Sequence, residues 1–579
     1  MNSKLKVVLI GLVVISIAGC NGLGKMSKNF PTVKHEVVPN PLELHGDSVA
    51  ISIKGTYPPK YFAKKVDATA TPMIKSSSAE HNFKSVTTVG EKSVTNGTKI
   101  NYKAGGSFTY SDRIAYTDDM RAGDVVVKVT GMKGKKTKEL GSVKIADGTI
   151  ITPRLVQHDE KTITGKDNYQ RIIPANFDGV MYYLINTATV NQNFKNAACG
   201  FNNKGEFARI DSAYKTLSLA PYVIKGVSIM GNASPDGTER VNADLATNRG
   251  KASIKWFSDM LKKSKIKISP DSSFFSMSTT NEDWAGFKTL MQNSSTPQRD
   301  MILRVVASNS DPEAREMEIR NMGKVYDEIA EGVLPKLRRS TVTINADKVG
   351  RSDEQILATA KTSPDSLSLE EIVRAGSLAE NASDKLSIYR AAERIYPQDW
   401  RCSNNLGTVL FGNGDIDGAM AAFSKADQLS ANNPIIKNNI GACQSRKDDR
   451  KAAATSYASA TGAGPEVKTN MAILDIRSGN YSTAVSNLSG AGSFNEALAK
   501  LLSGDKDGAM SVISSSKEGS TAMGEYLKAI ISARKGDANG VIKHLTASIS
   551  KEANMKAKAA ADREFIKWYN DPAFQSVVK

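Results

Sequence analysis

The chain has 579 residues, room for about three or four domains at roughly 100–200 residues each. A hydrophobic content of 40% supports packed cores and excludes a wholly disordered chain, and an aromatic content of 7% means that those cores lean on Ala, Val, Ile and Leu. Four cysteines exclude a disulfide scaffold, five histidines leave little for a His-based metal site, and 77 Lys+Arg against 60 Asp+Glu give a formal charge of +17 that suits nucleic acid, anionic lipid or a polyanionic polymer.

Lys4 and Lys6 precede an apolar run over residues 7–17, broken only by Gly11 and Ser16. A helix spanning a ~30 Å hydrocarbon core needs about 20 apolar residues, so this run reads as a cleaved secretory signal over residues 1–19. The cut site, Ile17-Ala18-Gly19-Cys20, resembles the lipobox of bacterial lipoproteins. That resemblance implies a diacylglycerol on the Cys20 thiol, cleavage before it and acylation of the new amine, hence durable attachment to membrane lipid. No other stretch is apolar enough to cross a membrane, so the remainder is expected to be exported but tethered, which removes nucleic acid as a partner. Asn21 stands where similarity to enterobacterial lipoproteins would link Asp to inner-membrane retention, which suggests the outer membrane. The absence of an acidic run over residues 21–29 suggests its periplasmic face. Loss of Lys4 and Lys6 leaves 75 basic against 60 acidic residues, a formal +15, with lipid headgroups or cell-wall carboxylates as counter-charge. Cys199, Cys402 and Cys443 can form at most one disulfide.

Residues 20–35 read as a lipidated, flexible tether. Residues 36–165 read as a β-sandwich, with strands at 49–53 and 125–129, a Thr-rich β stretch at 85–110, and turns at Gly46-Asp47, Asn96-Gly97, Gly105-Gly106 and Asp147-Gly148. The run Lys133-Gly134-Lys135-Lys136-Thr137-Lys138 falls between two strands, where a solvated hairpin tip is expected, although it could grip phosphate or carboxylate groups. Residues 166–350 mix strands (180–185, 223–230, 340–346) with helices (242–263, 282–293, 311–330) and predict an α+β domain. A linker is expected at 351–364.

From 365 to 579 the pattern is helical and repetitive. Gly407 and Gly441 lie 34 apart, as do Ala419 and Ala453, Phe423 and Tyr457, and Ala426 and Ala460. This period predicts an all-α solenoid of tetratricopeptide (TPR) type, in which a small residue lets two helices approach and an aromatic fills the gap behind it. The later turns, Gly479-Asn480, Gly504-Asp505 and Gly536-Asp537, step by 25 and then 32 residues. Residues 562–579 read as a cap with Phe565, Trp568 and Phe574. Asn404, Asn405, Asn438, Asn439 and Asn470 fall on first helices, where Asn can hydrogen-bond the backbone of a protein partner in the concave groove.

The segment Val227-Ser228-Ile229-Met230-Gly231-Asn232-Ala233-Ser234-Pro235-Asp236-Gly237, followed by Asn242-Ala243-Asp244-Leu245-Ala246-Thr247-Asn248-Arg249, resembles the OmpA-like peptidoglycan-associating domain. Gly231, Gly237, Asn242, Leu245 and Arg249 match that family's positions. The resemblance implies a grip on the zwitterionic end of a peptide stem, with Arg249 on its carboxylate. The family's Asp falls on Ser234, leaving Asp236 to supply the negative charge. Ala233-Ser234-Pro235-Asp236-Gly237, Asn281-Glu282-Asp283-Trp284, Gly323-x-x-Tyr326 and Pro335-x-Leu337-Arg338 are similar to segments of Bacteroidota envelope proteins, with the helices at 282–330 as an insertion. Asp47-Ser48-Val49, Asp211-Ser212-Ala213 and Asp365-Ser366-Leu367 fit that phylum's O-glycosylation pattern but read as solvated turns. No catalytic triad, P-loop, dinucleotide fingerprint or metal-ligand spacing occurs, so a non-enzymatic chain without cofactor or metal is expected. The reading is an envelope scaffold that meets peptidoglycan through the OmpA-like domain and a protein through the repeats. Its alternative is an accessory subunit of a secretion, outer-membrane assembly or fimbrial machine that does not bind peptidoglycan.

Overall fold

The computed structural model describes residues 21–263, 273–296 and 298–579, so Cys20 and the leader lie outside the described residues. The chain forms two compact units: residues up to Lys166 join Asn381–Lys579 in one, and Asp167–Glu380 form the other. Among the described residues no helix is long and apolar enough to cross a membrane.

The first unit opens with helix α1 (Asn21–Lys28) and a 3-10 turn at Phe30–Thr32. The strands follow as β1 (Lys34–Val38), β2 (Leu44–His45), β3 (Ser48–Tyr57), β4 (Asp67–Lys75), β5 (Glu80–Asn82), β6 (Val86–Gly90), β7 (Thr98–Ile100), β8 (Gly106–Ala115), β9 (Asp124–Lys133) and β10 (Lys136–Asp147). One sheet runs β1-β3-β2, with β8 also pairing β3; the other runs β10-β9-β4-β6-β7, with β5 on β4. Inward residues alternate as a half-buried strand requires: Val49, Ile51 and Ile53 on β3 meet Ile74 and Val125 of the other sheet in one apolar cluster.

The stretch expected as a flexible tether is docked instead. Leu23, Met26 and Phe30 recur at helical spacing and are buried against the second sheet. Two sheet glycines open their slots: a Cβ at Gly131 would stand 2.8 Å from Leu23 Cδ2, and one at Gly141 2.2 Å from Phe30 Cδ1.

The second unit carries β11 (Ile172–Pro174), β12 (Phe177–Tyr182), the two-residue ladder β13 (Lys195–Asn196) and β14 (Phe201–Asn202), α2 (Asn203–Leu217), β15 (Tyr222–Asn232), α3 (Glu239–Lys263) and β16 (Phe275–Thr280). Then come α4 (Trp284–Gln292), α5 (Arg299–Ser308), α6 (Pro312–Arg320), α7 (Lys324–Gly332), α8 (Leu334–Leu337) and β17 (Arg339–Val349). Its sheet runs β11-β17-β15-β16, with β12 also pairing β17, and only β15–β16 is parallel. Phe207 and Ile210 of α2 and Phe257 and Leu261 of α3 close its core, whereas α4–α8 gather around Phe287, Met291, Ile302 and Ile329. The expected linker is also structured. Helices α9 (Asp353–Thr362) and α10 (Leu369–Leu378) each begin with a reciprocal capping box, Ser352/Gln355 and Ser368/Glu371, and both belong to this unit. The repeats therefore start near 381 rather than at 365.

The repeat array returns to the first unit. It comprises α11 (Ala382–Ile395), α12 (Trp400–Gly412), α13 (Ile416–Leu429), α14 (Pro434–Arg446), α15 (Arg450–Ala458), α16 (Glu466–Ser478) and α17 (Tyr481–Leu488). It continues through α18 (Phe494–Leu502), α19 (Lys506–Ser515), α20 (Ala522–Lys535), α21 (Ala538–Lys551), α22 (Met555–Ala561) and α23 (Pro572–Val578). The array is a TPR-like solenoid of antiparallel helix pairs. A Cβ at Gly407 would stand 2.6 Å from Phe423 Cε1, and one at Gly441 2.6 Å from Tyr457 Cε1, so the 34-residue period marks the sites of closest helix approach. Second helices open on a recurring N-cap: the carboxylates of Asp415, Asp449, Asp505 and Asp537 accept the N–H three residues on, at 2.9, 3.1, 2.8 and 3.0 Å. Phe565 and Phe574 seal the far end. Cys199, Cys402 and Cys443 are all free thiols and buried.

Because Met26 is fully buried, Met26→Ala should lower unfolding free energy by about 2–5 kcal/mol. Denaturant titration checks this; an undocked tether would leave the midpoint unchanged.

Candidate functional site

The groove of the repeat array is lined by amides. Asn404 and Asn405 of α12, Asn438 and Asn439 of α14, Asn470 of α16 and Asn495 of α18 are all buried. What they hold is not a free surface but the chain's own segment between β10 and the second unit.

The pairing is regular. The Gly165 N–H donates to Asn405 Oδ1 at 2.7 Å while Asn405 Nδ2 donates to Gly165 O at 2.9 Å. Asn439 grips Ile163 in the same two-bond fashion, at 2.7 and 2.8 Å, and Asn470 grips Lys161 at 2.7 and 2.8 Å. Asn495 closes the series on Gln157 at 2.8 and 3.0 Å. Asn404 and Asn438 add donors to Ile163 O and Lys161 O at 3.1 and 3.0 Å. The amides also bond each other, with Asn439 Nδ2 donating to Asn404 Oδ1 at 2.8 Å and Asn470 Nδ2 to Asn438 Oδ1 at 2.9 Å. One carboxamide has one donor side and one acceptor side, which matches the N–H and C=O of a single residue in extended backbone. The rungs fall on alternate residues because successive residues of an extended chain face opposite ways.

Side chains fix the register. Gly165 passes where a Cβ would stand 2.8 Å from Arg401 Cγ and 3.0 Å from Trp400. Between the rungs at Lys161 and Gln157 the chain skips one, and there Glu160 turns inward: its carboxylate is buried and accepts the Ser445 hydroxyl at 2.8 Å. Glu160 Oε2 has no partner among the described residues.

The sequence located four of these amides, Asn404, Asn405, Asn438 and Asn439, together with Asn470, and assigned them to an external partner. The structure corrects the assignment, because the connector saturates them. Asn495 was missed, although the 25-residue step that carries Gly479 to Gly504 also carries Asn470 to Asn495.

The second candidate, on the loop after β15, is also internally paired. Arg249 is 1% exposed; its guanidinium donates to the carbonyls of Asn232 at 2.8 Å, Thr187 at 3.0 Å and Leu184 at 3.5 Å and lies over the Tyr183 ring. Burial pulls its pKa down to about 10. Asp236 takes the Arg338 guanidinium at 2.6 Å, and the Ser234 hydroxyl donates to the same carboxylate. Asn242 donates to Gly237 O at 2.9 Å and to Glu282 at 3.2 Å. The structure thus brings Ser234 and Asp236 together but commits the guanidinium of Arg249 to carbonyls. Arg338, which the sequence singled out only within the Pro335-x-Leu337-Arg338 segment, is the counter-ion of Asp236. In the Asn281-Glu282-Asp283-Trp284 segment, Asp283 caps α4 and binds Arg339 at 2.8 Å. No group of three or more His, Cys, Asp or Glu that could hold a metal occurs among the described residues.

No protein-family profile and no curated protein matches the chain. Solved structures similar in part are helical repeat proteins. YrrB, a TPR protein with an unusual peptide-binding site, is 17% identical over 29% of this chain and 93% of its own, with a TM-score of 0.25. A tetratricopeptide repeat protein from Parabacteroides merdae is 13% identical over 39% and 89%, with a TM-score of 0.28. The Cut9–Hcn1 assembly of the APC/C is 11% identical over 59% and 59%, with a TM-score of 0.32. The TPR-like arrangement is read from the chain's own helix pairs.

Asn439→Ala removes the acceptor of the part-buried Ile163 N–H and one of the two donors to its C=O, the other being Asn404, and should cost roughly 1–3 kcal/mol. Hydrogen exchange should find the amides of Gln157, Lys161, Ile163 and Gly165 protected in the wild type and that of Ile163 the first released in the variant; exchange at coil rates in the wild type would contradict the ladder.

Proposed function

We propose that this chain is a non-catalytic scaffold of the bacterial cell envelope, held by acylated Cys20 on the periplasmic face of the outer membrane. It acts as an accessory interaction subunit of a secretion, outer-membrane assembly or fimbrial machine. The observation that carries this reading is the saturated amide groove. A TPR-like array whose groove is filled by the connector from its own β region is a stiff platform, and a protein partner then meets its outer helices and loops.

The OmpA-like resemblance of residues 166–350 would add peptidoglycan as a partner. The internal pairing of Arg249 and Asp236 weighs against that use of the loop: a peptide stem would have to displace three carbonyls from one guanidinium and Arg338 from the one carboxylate. We therefore read this region as a docking module and keep peptidoglycan outside the function.

The wild-type chain should stay in the supernatant when purified sacculi are pelleted. Pelleting that Arg249→Lys abolishes, in a variant with an unchanged thermal midpoint, would restore the peptidoglycan reading. Protease added to intact cells should leave the chain uncut, whereas rapid digestion would place it on the cell surface.

A further inference from the structure

One end of the six-stranded sheet is basic, and strand register decides which residues share it. β9 turns into β10 at the Lys133–Lys136 pair, β4 starts beside that turn with Asp67 opposite Met132, and β6 ends there with Val89 opposite Asp67. The turn places Lys133, Lys135, Lys136 and Lys138 on this rim, and the loops flanking β4 and β6 add Lys65 and Lys92. All but Lys133, which is half-buried, are exposed. Three carboxylates stand near the rim and each is engaged: Glu139 pairs with Lys128 at 3.3 Å, Glu91 with Lys64 at 3.2 Å, and Asp67 accepts the hydroxyls of Ser93 and Thr95 at 2.5 and 2.6 Å. Two apolar side chains stand out on the same rim, Val94 at 103% and Met132 at 44% exposure.

The second observation is the direction of α1. Leu23 fills the slot at Gly131, the residue opposite Lys138, and Phe30 fills that at Gly141, farther from the turn. A Cβ on Gly22 would stand 3.3 Å from that of Ala63, two residues before Lys65. So α1 starts at the lysine rim and runs away from it. Cys20 precedes α1 by one residue, and one residue covers only about 3.8 Å.

We propose that this rim is a membrane-apposed surface that binds anionic lipid headgroups beside the Cys20 anchor. The proposal rests on the lipoprotein reading of Cys20. A basic cluster attracts an anionic bilayer only within about a Debye length, ~8 Å at physiological salt, and the anchor holds the rim inside that range. Lysines around protruding apolar residues suit the headgroup boundary, with Val94 and Met132 on its apolar side. The surface fixes the orientation of the platform on the membrane, which an acyl chain on a single residue does not.

The test uses the chain from Asn21 to Lys579, which contains the whole described fold and carries no acyl group. It should float with phosphatidylcholine vesicles that contain phosphatidylglycerol, should not float with phosphatidylcholine alone, and should be released as salt rises. Lys133→Gln, Lys135→Gln, Lys136→Gln and Lys138→Gln together should weaken flotation at least about tenfold with an unchanged thermal midpoint. The same number of lysines removed from the repeats, Lys451→Gln, Lys468→Gln, Lys543→Gln and Lys551→Gln, should leave it intact. Equal binding to both vesicles, an unaffected hairpin variant, an equal loss in the repeat variant, or binding to sacculi instead of vesicles would each overturn the surface. The anchor is tested apart, by palmitate labelling of the wild type against Cys20→Ser. Absent label with retained flotation overturns the anchor and keeps the surface; label without flotation does the reverse.

Discussion

The first unit depends on a row of carboxamides that each hold both polar groups of one backbone residue. A typical hydrogen bond made in folding contributes only about 0.5–1.5 kcal/mol net, but a buried N–H or C=O left alone costs about 1–3 kcal/mol. Once the connector enters the groove, every rung is therefore obligatory. The connector is anchored by other means at its start, where Leu155 and Val156 join the repeat core and the Thr152 hydroxyl donates to buried Glu564. Glu564 in turn receives Arg534 at 2.6 Å. A further tie links the β2–β3 turn to the array, Asp47 taking Arg450 through two bonds of 3.0 Å. Sheet pair, connector and repeats thus fold as one body.

How much of this was legible depends on the range of the interaction. The 34-residue period could be read because each helix pair repeats the same local packing, with glycine facing an aromatic ring. The Lys-rich hairpin could be read because turn chemistry is local. Helix α1 was hidden because Leu23, Met26 and Phe30 are only three apolar residues in a polar stretch, and the slots of Leu23 and Phe30 come from glycines more than a hundred positions away. The capping boxes at Ser352/Gln355 and Ser368/Glu371 are local helix-start signals, but nothing local assigns the helices they open to the second unit rather than to the repeats. The amides of the groove were legible as a pattern. Their occupant was not, because it lies 240 residues from Asn405 and carries no signature beyond being extended.

Arg249 shows a different limit. Its residue type and its place after Asn242 point to an anion, since a guanidinium has five donors and no acceptor. In the structure three bonds from that guanidinium go to the carbonyls of Thr187, Asn232 and Leu184, and Tyr183 covers the cation. Type and spacing report what a side chain can bind; only packing reports whether the partner comes from outside. The same distinction separates Asp236, matched by Arg338, from the lysines of the hairpin, which face solvent.

The topology explains why a unit of more than two hundred residues can sit between connector and repeats without loosening the ladder. The second unit leaves after Lys166 and the chain returns at Asn381, just before α11. The last rung before departure, Gly165, is held by Asn405 of α12, and Lys166 O accepts Arg401 of the same helix at 3.2 Å. Departure and return therefore both lie at the first helices of the array, and every rung joins the chain before the insertion to a helix after it. Loop-closure cost grows only as the logarithm of length, so the inserted unit adds little to the entropy of bringing Gly165 to Asn405. The register is then set by the one residue that cannot carry a side chain, Gly165 against Arg401 and Trp400, and by buried Glu160 beside the skipped rung.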